Sequence, residues 1–297
     1  MANRIGIDLG GTKISALMLN AEGETLKYQR VDTPQNDYEG IIGQIASLVA
    51  QFEADGGELA RVGIGTPGSV SPVSGLMRNC NSTCLNGRPF IDDLSKRLAR
   101  PVQQANDADC FALSEATDGA AAGSDSVFGV IIGTGCGGGV VINGRLLSGP
   151  NRIAGEWGHN TVPLAVSEGW PDRPCYCGRV NCVETFVSGP GLAQSLKRWA
   201  PHFQTAKALS DAVEAGDKLA LQARDSYAMQ LAECLSVVIN ILDPQRVVLG
   251  GGVSLLPGLP EALTAALQSR IFSESCRTQI VTAMHGSDSG VRGAAWL

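Results

Sequence analysis

One pattern occurs twice in this chain: an apolar run, a cluster of glycines, and a second run that turns back on the first. Residues 4–9 lead into Gly10-Gly11-Thr12-Lys13 and a run ending at residue 19, while residues 127–132 lead into Gly133-Thr134-Gly135-Cys136-Gly137-Gly138-Gly139 and residues 140–142. Each copy reads as a strand, a glycine turn and a returning strand. The two halves therefore look like diverged copies of one supersecondary unit, and the 297 residues suffice for two domains of about 150 each. The 37 glycines follow no fixed period and sit inside apolar runs, which excludes collagen and low-complexity disorder.

The first copy continues as a third strand to residue 31, a helix over 38–54, a short strand over 61–65, a helix near 91–99, a strand over 102–105 and a helical stretch from 108 to 121. The second copy passes a turn at Asn143-Gly144 and later shows a long helix over 218–242, a strand over 246–249, Gly250-Gly251-Gly252 and a helix from 257. Residues 289–296 form a last, small-residue helix. The expected division is 1–117 for a smaller N-terminal α/β domain and 118–286 for a larger one, with the terminal helix, 287–297, packing back on the first.

A formal charge of −6 without blocks of like charge argues against a nucleic-acid surface. No apolar stretch reaches the 18 or so residues of a membrane span, and the first residues run straight into a strand, so no membrane partner or leader is expected. Nine cysteines, an odd number, suit a reducing cytoplasm with some thiols otherwise employed.

Glycine turns let backbone N–H groups approach an anion closely, so the two turns could grip one phosphate chain from two sides. Tight hairpins without a ligand would use the same residues. Gly133, Gly135 and Gly138 also satisfy G-x-G-x-x-G, but a dinucleotide site needs a helix after that turn and here a strand and hairpin follow. Asn106-Asp107 stands at a strand end before a helix. There one residue can cap the helix while the other faces a cleft. His159 with Cys175, Cys177 and Cys182 makes one imidazole and three thiols, a tetrahedral zinc set with no position left for water, hence structural rather than catalytic.

Asp8-Leu9-Gly10-Gly11-Thr12-Lys13, Asn106-Asp107, Gly155-Glu156-Trp157-Gly158-His159 and the run Cys175-Tyr176-Cys177-Gly178-Arg179-Val180-Asn181-Cys182-Val183-Glu184 together resemble the ROK family of sugar kinases, repressors and relatives. The resemblance implies an actin-like ATPase fold of two duplicated ribonuclease-H-like domains around a cleft. It implies phosphorylation of a hexose by ATP with magnesium. Asp107 would be the general base, and Asn106, Glu156, His159 and Glu184 would bind the sugar, with Thr66, Pro67, Gly68 and Asn79 on the same side of the cleft. His159 would put one ring nitrogen on zinc and the other toward the sugar. Asp8 would reach magnesium through water. Gly10, Gly11, Thr12 and Lys13, with Gly133, Thr134, Gly135, Gly137 and Gly138, would hold phosphates, and Gly250, Gly251 and Gly252 would face adenosine. Asn79-Cys80-Asn81-Ser82-Thr83 with Asn86-Gly87, and Trp157 with Asn160, look most like bacterial fructokinase and mannokinase members. The polar 79–86 stretch points the same way, to D-fructose rather than an acetamido sugar. An N-acetylglucosamine, N-acetylmannosamine or glucose kinase is the alternative, or a noncatalytic sugar sensor. A repressor's DNA-reading segment has no room before residue 5, and the resemblance implies a homodimer.

Overall fold

A computed structural model describes residues 3–54, 59–80 and 82–297; Asn81 of the 79–83 stretch lies outside the described residues. The first half runs β1 (Arg4–Leu9), β2 (Lys13–Leu19), β3 (Thr25–Asp32), α1 (Tyr38–Glu53), β4 (Arg61–Thr66), a small ribbon of β5 (Ser69–Val70) and β6 (Met77–Arg78), α2 (Phe90–Leu98), β7 (Val102–Asn106) and α3 (Asp107–Thr117). The second half runs β8 (Ser126–Ile132), β9 (Cys136–Ile142), β10 (Arg145–Leu146), α4 (Leu164–Ser167), α5 (Glu184–Val187), α6 (Gly189–Leu196), α7 (Ala206–Glu214), α8 (Lys218–Leu242), β11 (Arg246–Gly250), α9 (Leu259–Leu267), β12 (Gln279–Thr282) and α10 (Ser289–Trp296).

The repeat is a repeat of topology. One sheet has the order β3-β2-β1-β4-β7 and the other β10-β9-β8-β11-β12. In each, three antiparallel strands form a meander, and the two remaining strands lie parallel beside the first strand of the meander. The second hairpin turns at Asn143 and Gly144, both with positive φ (50° and 72°), the two-residue turn whose twist matches paired strands. Strand β10 completes that meander and gives the second half its counterpart of β3.

Local patterns explain the main helices. Along α1, Ile41, Ile42, Ile45, Leu48, Val49 and Phe52 recur at helical spacing and bury one face in the first core with Ile5, Ile7 and Ile14. Helix α8 opens on Asp217, whose side chain accepts the Ala220 N–H, and stops at Asp243 in the left-handed region before Pro244. Its buried face, including Tyr227, Leu231 and Leu235, joins the second core.

Helices α3 and α10 pack between the sheets, and missing side chains set how closely. A methyl at Gly139 in β9 would lie 2.7 Å from the Ala108 carbonyl oxygen of α3. One at Gly63 in β4 would lie 1.9 Å from the Ala294 carbonyl of α10, and one at Gly293 in α10 would lie 1.7 Å from the Cys110 carbonyl of α3. Glycine at these positions buys backbone proximity rather than flexibility. Glu115 of α3, wholly buried, accepts hydrogen bonds from the Ala120, Met284 and His285 N–H groups and the Ser289 hydroxyl, so it fastens both chain crossings between the halves.

Candidate functional site

Strand ends converge where the halves meet. Strand β7 pairs with β4 so that Thr66 lies opposite Asn106, and α3 begins at the next residue. The Asn106 side-chain oxygen accepts the Asp109 N–H at 2.6 Å, so Asn106 is the helix cap. Asp107 is the first helical residue, and its Oδ1 accepts the Ala108 N–H at 2.8 Å. Its side chain is open to solvent, yet sits in a recess where burial raises its pKa above the usual carboxylate range. Of the two residues, Asn106 takes the capping role and Asp107 is the one left open to solvent.

Three further carboxylates, Asp8, Asp109 and Glu156, are close enough to interact with Asp107 or with one another. Asp8, at the end of β1, lies beside Gly65 and Gly290, and burial together with the Asp107 charge pushes its pKa up to about 6. Arg30 opposes that rise. Asp109 rises to about 7 through burial, then the charges of Glu156 and Asp107. Carboxylates at close quarters with little cationic compensation form a field that suits a hard cation or a proton donor.

The first glycine turn is a tight hairpin: Gly10 donates its N–H to the Lys13 carbonyl at 2.9 Å, and Thr33 donates its hydroxyl to the Gly10 carbonyl. Gly11 and Thr12 are exposed. The Lys13 ammonium is ion-paired with Asp32, its register partner on β3, in an exposed pair. In the second half only Gly133, Thr134 and Gly135 form the turn. Gly137 and Gly138 belong to β9, paired with Ile131 and Val130, and their lack of side chains admits Ala108 of α3 and the Gly155 backbone. Gly250 likewise is strand: a methyl there would lie 2.4 Å from the Phe111 ring, whereas Gly251 and Gly252 are exposed beyond the strand end. Glycine composition alone cannot separate a ligand turn from a strand that must admit a neighbour.

Opposite Asn106, Thr66 is fully buried and accepts a hydrogen bond from Gln104, while Pro67 and Gly68 are half-buried. A methyl at Gly68 would lie 2.4 Å from the Arg78 carbonyl, which brings this loop against Asn79, an exposed residue in the left-handed region.

The segment 155–159 is fixed to β9 by two close approaches, Gly155 to the Gly138 carbonyl and Gly158 to the Cys136 carbonyl. The Trp157 indole N–H donates to the Gly137 carbonyl. Glu156 is exposed, and His159 points its Nδ1 at the Cys175 sulfur, 3.6 Å away. Cys177 and Cys182 sulfurs are also 3.6 Å apart, and all four donor atoms lie within 4.8 Å of one another. Disulfide sulfurs would be about 2.05 Å apart. Three thiolates and an imidazole around one tetrahedral ion would instead have edges of about 3.8 Å, so this cluster fits a thiophilic metal. Exposed Cys177 has its pKa lowered to about 6 by hydrogen bonds from the Arg179 backbone and guanidinium, which favours the ligating thiolate. The other His159 nitrogen, Nε2, is 2.9 Å from the Tyr176 hydroxyl, so in this structure it faces a protein group rather than an open sugar position.

Arg173 organises the loop that carries the cysteine cluster and carries no sequence signal. It is buried, reaches the Thr185 and Gly191 carbonyls and the Ser195 hydroxyl, and lies 4.0 Å from the Phe186 ring. Desolvation lowers its pKa to about 10. Glu184, just after Cys182, accepts the Cys136 N–H at 2.9 Å, and Gly189 donates its N–H to the Gly133 carbonyl at 2.8 Å. Glu184 and Gly189, just beyond the cysteine cluster, therefore hold the second glycine turn at both ends.

The ROK family model matches residues 4–297. The chain belongs to the ROK family. It is 37% identical over 296 residues to the N-acetyl-D-glucosamine kinase of Pectobacterium atrosepticum, covering 98% of this chain and 97% of that protein. It is also 37% identical over 297 residues to the N-acetyl-D-glucosamine kinase of Haemophilus influenzae, at 98% coverage of both. Among solved structures, the ROK hexokinase from Thermus thermophilus superposes with a TM-score of 0.84 at 31% identity, covering 99% of this chain and 97% of that one. A ROK glucokinase from Streptomyces griseus, solved with glucose and AMPPNP, gives 0.75 at 28%, covering 99% and 98%. These neighbours agree with the two-domain sugar-kinase fold that the duplicated sheets display.

Proposed function

We propose that this ROK protein is an ATP-dependent sugar kinase that transfers the γ-phosphoryl group of ATP to the 6-hydroxyl of N-acetyl-D-glucosamine. The observation that carries the chemistry is Asp107, the solvent-open first residue of α3, whose charge acts on both Asp8, beside the first glycine turn, and Asp109. Phosphoryl transfer asks mainly for positioning and charge neutralisation, with a base in contact with the attacking hydroxyl. Asp107 accepts that proton as the sugar oxygen bonds to phosphorus and the bond to the ADP oxygen breaks. Its Ala108 N–H contact fixes the carboxylate rotamer, and its raised pKa makes it a better acceptor than a free aspartate. Asn106 and Glu156 are placed to contact the sugar. Exposed Gly11, Thr12 and the 133–135 turn are placed for phosphates, and Gly251 and Gly252 for the nucleoside. Magnesium, bound with the nucleotide near Asp8, would supply charge neutralisation. Zinc on His159, Cys175, Cys177 and Cys182 would brace the loop that carries Glu184.

The preference for N-acetyl-D-glucosamine replaces the expectation of fructose. That expectation rested on the likeness of residues 79–83, 86–87, 157 and 160 to fructokinase and mannokinase members and on the polarity of residues 79–86, but Cys80 and Leu85 of this stretch are buried in the first core, so its composition does not describe a substrate lining. Whole-length identity of 37% to N-acetyl-D-glucosamine kinases supports the acetamido sugar instead. Asp107→Asn should bind N-acetyl-D-glucosamine with affinity near that of the unaltered protein while losing at least about 100-fold in turnover. Retained turnover would remove the base assignment.

A further inference from the structure

We propose that Gln35 is a further positioning residue of the nucleotide site, an exposed amide that turns the N–H groups of Gly11 and Thr12 outward to meet phosphate. The inference rests on the reading of the first glycine turn as a phosphate turn. Three successive carbonyls of that turn accept hydrogen bonds from one short segment beyond β3. The Thr33 hydroxyl donates to the Gly10 carbonyl at 2.8 Å, Gln35 Nε2 to the Gly11 carbonyl at 2.8 Å, and the Thr33 N–H to the Thr12 carbonyl at 2.9 Å. A trans peptide sets its C=O and N–H in opposite directions, so carbonyls drawn toward 33–35 aim the following N–H groups away from it. Those of Gly11 and Thr12 have no acceptor among the described residues, and both residues are exposed. Successive outward N–H groups are what an anion requires.

The amide is held in one orientation. Its second Nε2 hydrogen goes to the Thr33 carbonyl at 2.9 Å, and two carbonyl oxygens at one end of the amide exclude its own oxygen from that end. The backbone around it is fixed as well. Pro34 restricts its own φ, Asn36 stands in the left-handed region at φ 56°, and Asp37 caps α1 by accepting the Gly40 N–H. Thr33 is buried, whereas Gln35 is exposed and can be changed without opening the core. The second glycine turn is held by other means, the Gly189 N–H donating to the Gly133 carbonyl at 2.8 Å. Both turns thus have a carbonyl drawn back into the protein where the next N–H must face out.

Gln35→Ala and Gln35→Glu are compared with the unaltered protein by ADP calorimetry with magnesium and no sugar, and by steady-state kinetics in both substrates. Gln35→Ala should weaken ADP binding about three- to tenfold and raise ATP KM in proportion. Gln35→Glu, whose carboxylate cannot donate and would face the same carbonyls, should weaken it further. Sugar KM should stay unchanged in both, whereas a residue that only steadied the fold would shift both KM values or neither. Unchanged ADP affinity in both variants, or a sugar KM that rises alongside ATP KM, overturns the inference. Gly11→Val tests the underlying reading by itself: a Cβ at position 11 meets no atom within 4 Å, so the larger side chain obstructs only what binds the turn. It should weaken ADP binding about tenfold or more. If it does and the Gln35 variants do not, the Gln35 assignment alone fails. If ADP affinity is intact in Gly11→Val, the phosphate reading of the turn fails, and the inference with it.

Discussion

The Glu184 carboxylate accepts the backbone N–H of Cys136 at 2.9 Å, and the same oxygen lies 2.7 Å from where a methyl on Gly135 would be. One side chain thus spans from the end of the cysteine-bearing loop to the second glycine turn. Glu184→Ala should weaken ADP binding about three- to tenfold in calorimetry without any sugar present, because the turn loses a charge-assisted hydrogen bond. Glu184→Gln keeps an acceptor and should bind ADP nearly normally. Unchanged ADP affinity in the alanine variant would reduce Glu184 to a sugar contact.

Metal content tests the bracing loop. Elemental analysis should find about one zinc per chain, as a four-ligand site requires. Cys177→Ser, altering the exposed ligand, should release the metal and raise sugar KM, since the loop ends at Glu184. A metal-free variant with unaltered sugar KM would separate the metal from substrate positioning.

Asp8 predicts a pH dependence of stability. Its native pKa, about 6, exceeds the ordinary 3.8, so between those values the native state holds more protons than the unfolded chain. Stability on this account falls as pH rises through that window, and the cost is complete above it. Asp8→Asn should therefore melt about 2 °C higher than the unaltered protein at pH 8, with the difference vanishing near pH 4. A variant melting lower at pH 8 would contradict the assigned strain.

Much of this was legible in the sequence, for identifiable reasons. Strand–glycine–strand runs announce hairpins because few other structures accept them, so 4–9 coincides with β1, and the amphipathic run closed by Asp243-Pro244 makes 218–242 coincide with α8. The His159 and cysteine cluster survives folding because its spacing already resembles a ligand set. Close backbone approach was illegible: nothing in the sequence separates Gly135, in a turn, from Gly139, in a strand that admits α3. The Lys13 ion pair with Asp32 was equally illegible, because the partner lies across a strand pair. Arg173 and Asp109 matter through burial and neighbours brought from distant segments, as do the short helices α4 to α7, whose existence depends on packing more than on periodicity.

The most direct measurement is ATP consumption over N-acetyl-D-glucosamine, N-acetylmannosamine, glucose, mannose and fructose, each as kcat/KM. N-acetyl-D-glucosamine should exceed every other sugar by about tenfold or more. A larger kcat/KM for fructose or glucose, or no turnover of any of the five, would contradict the proposed function.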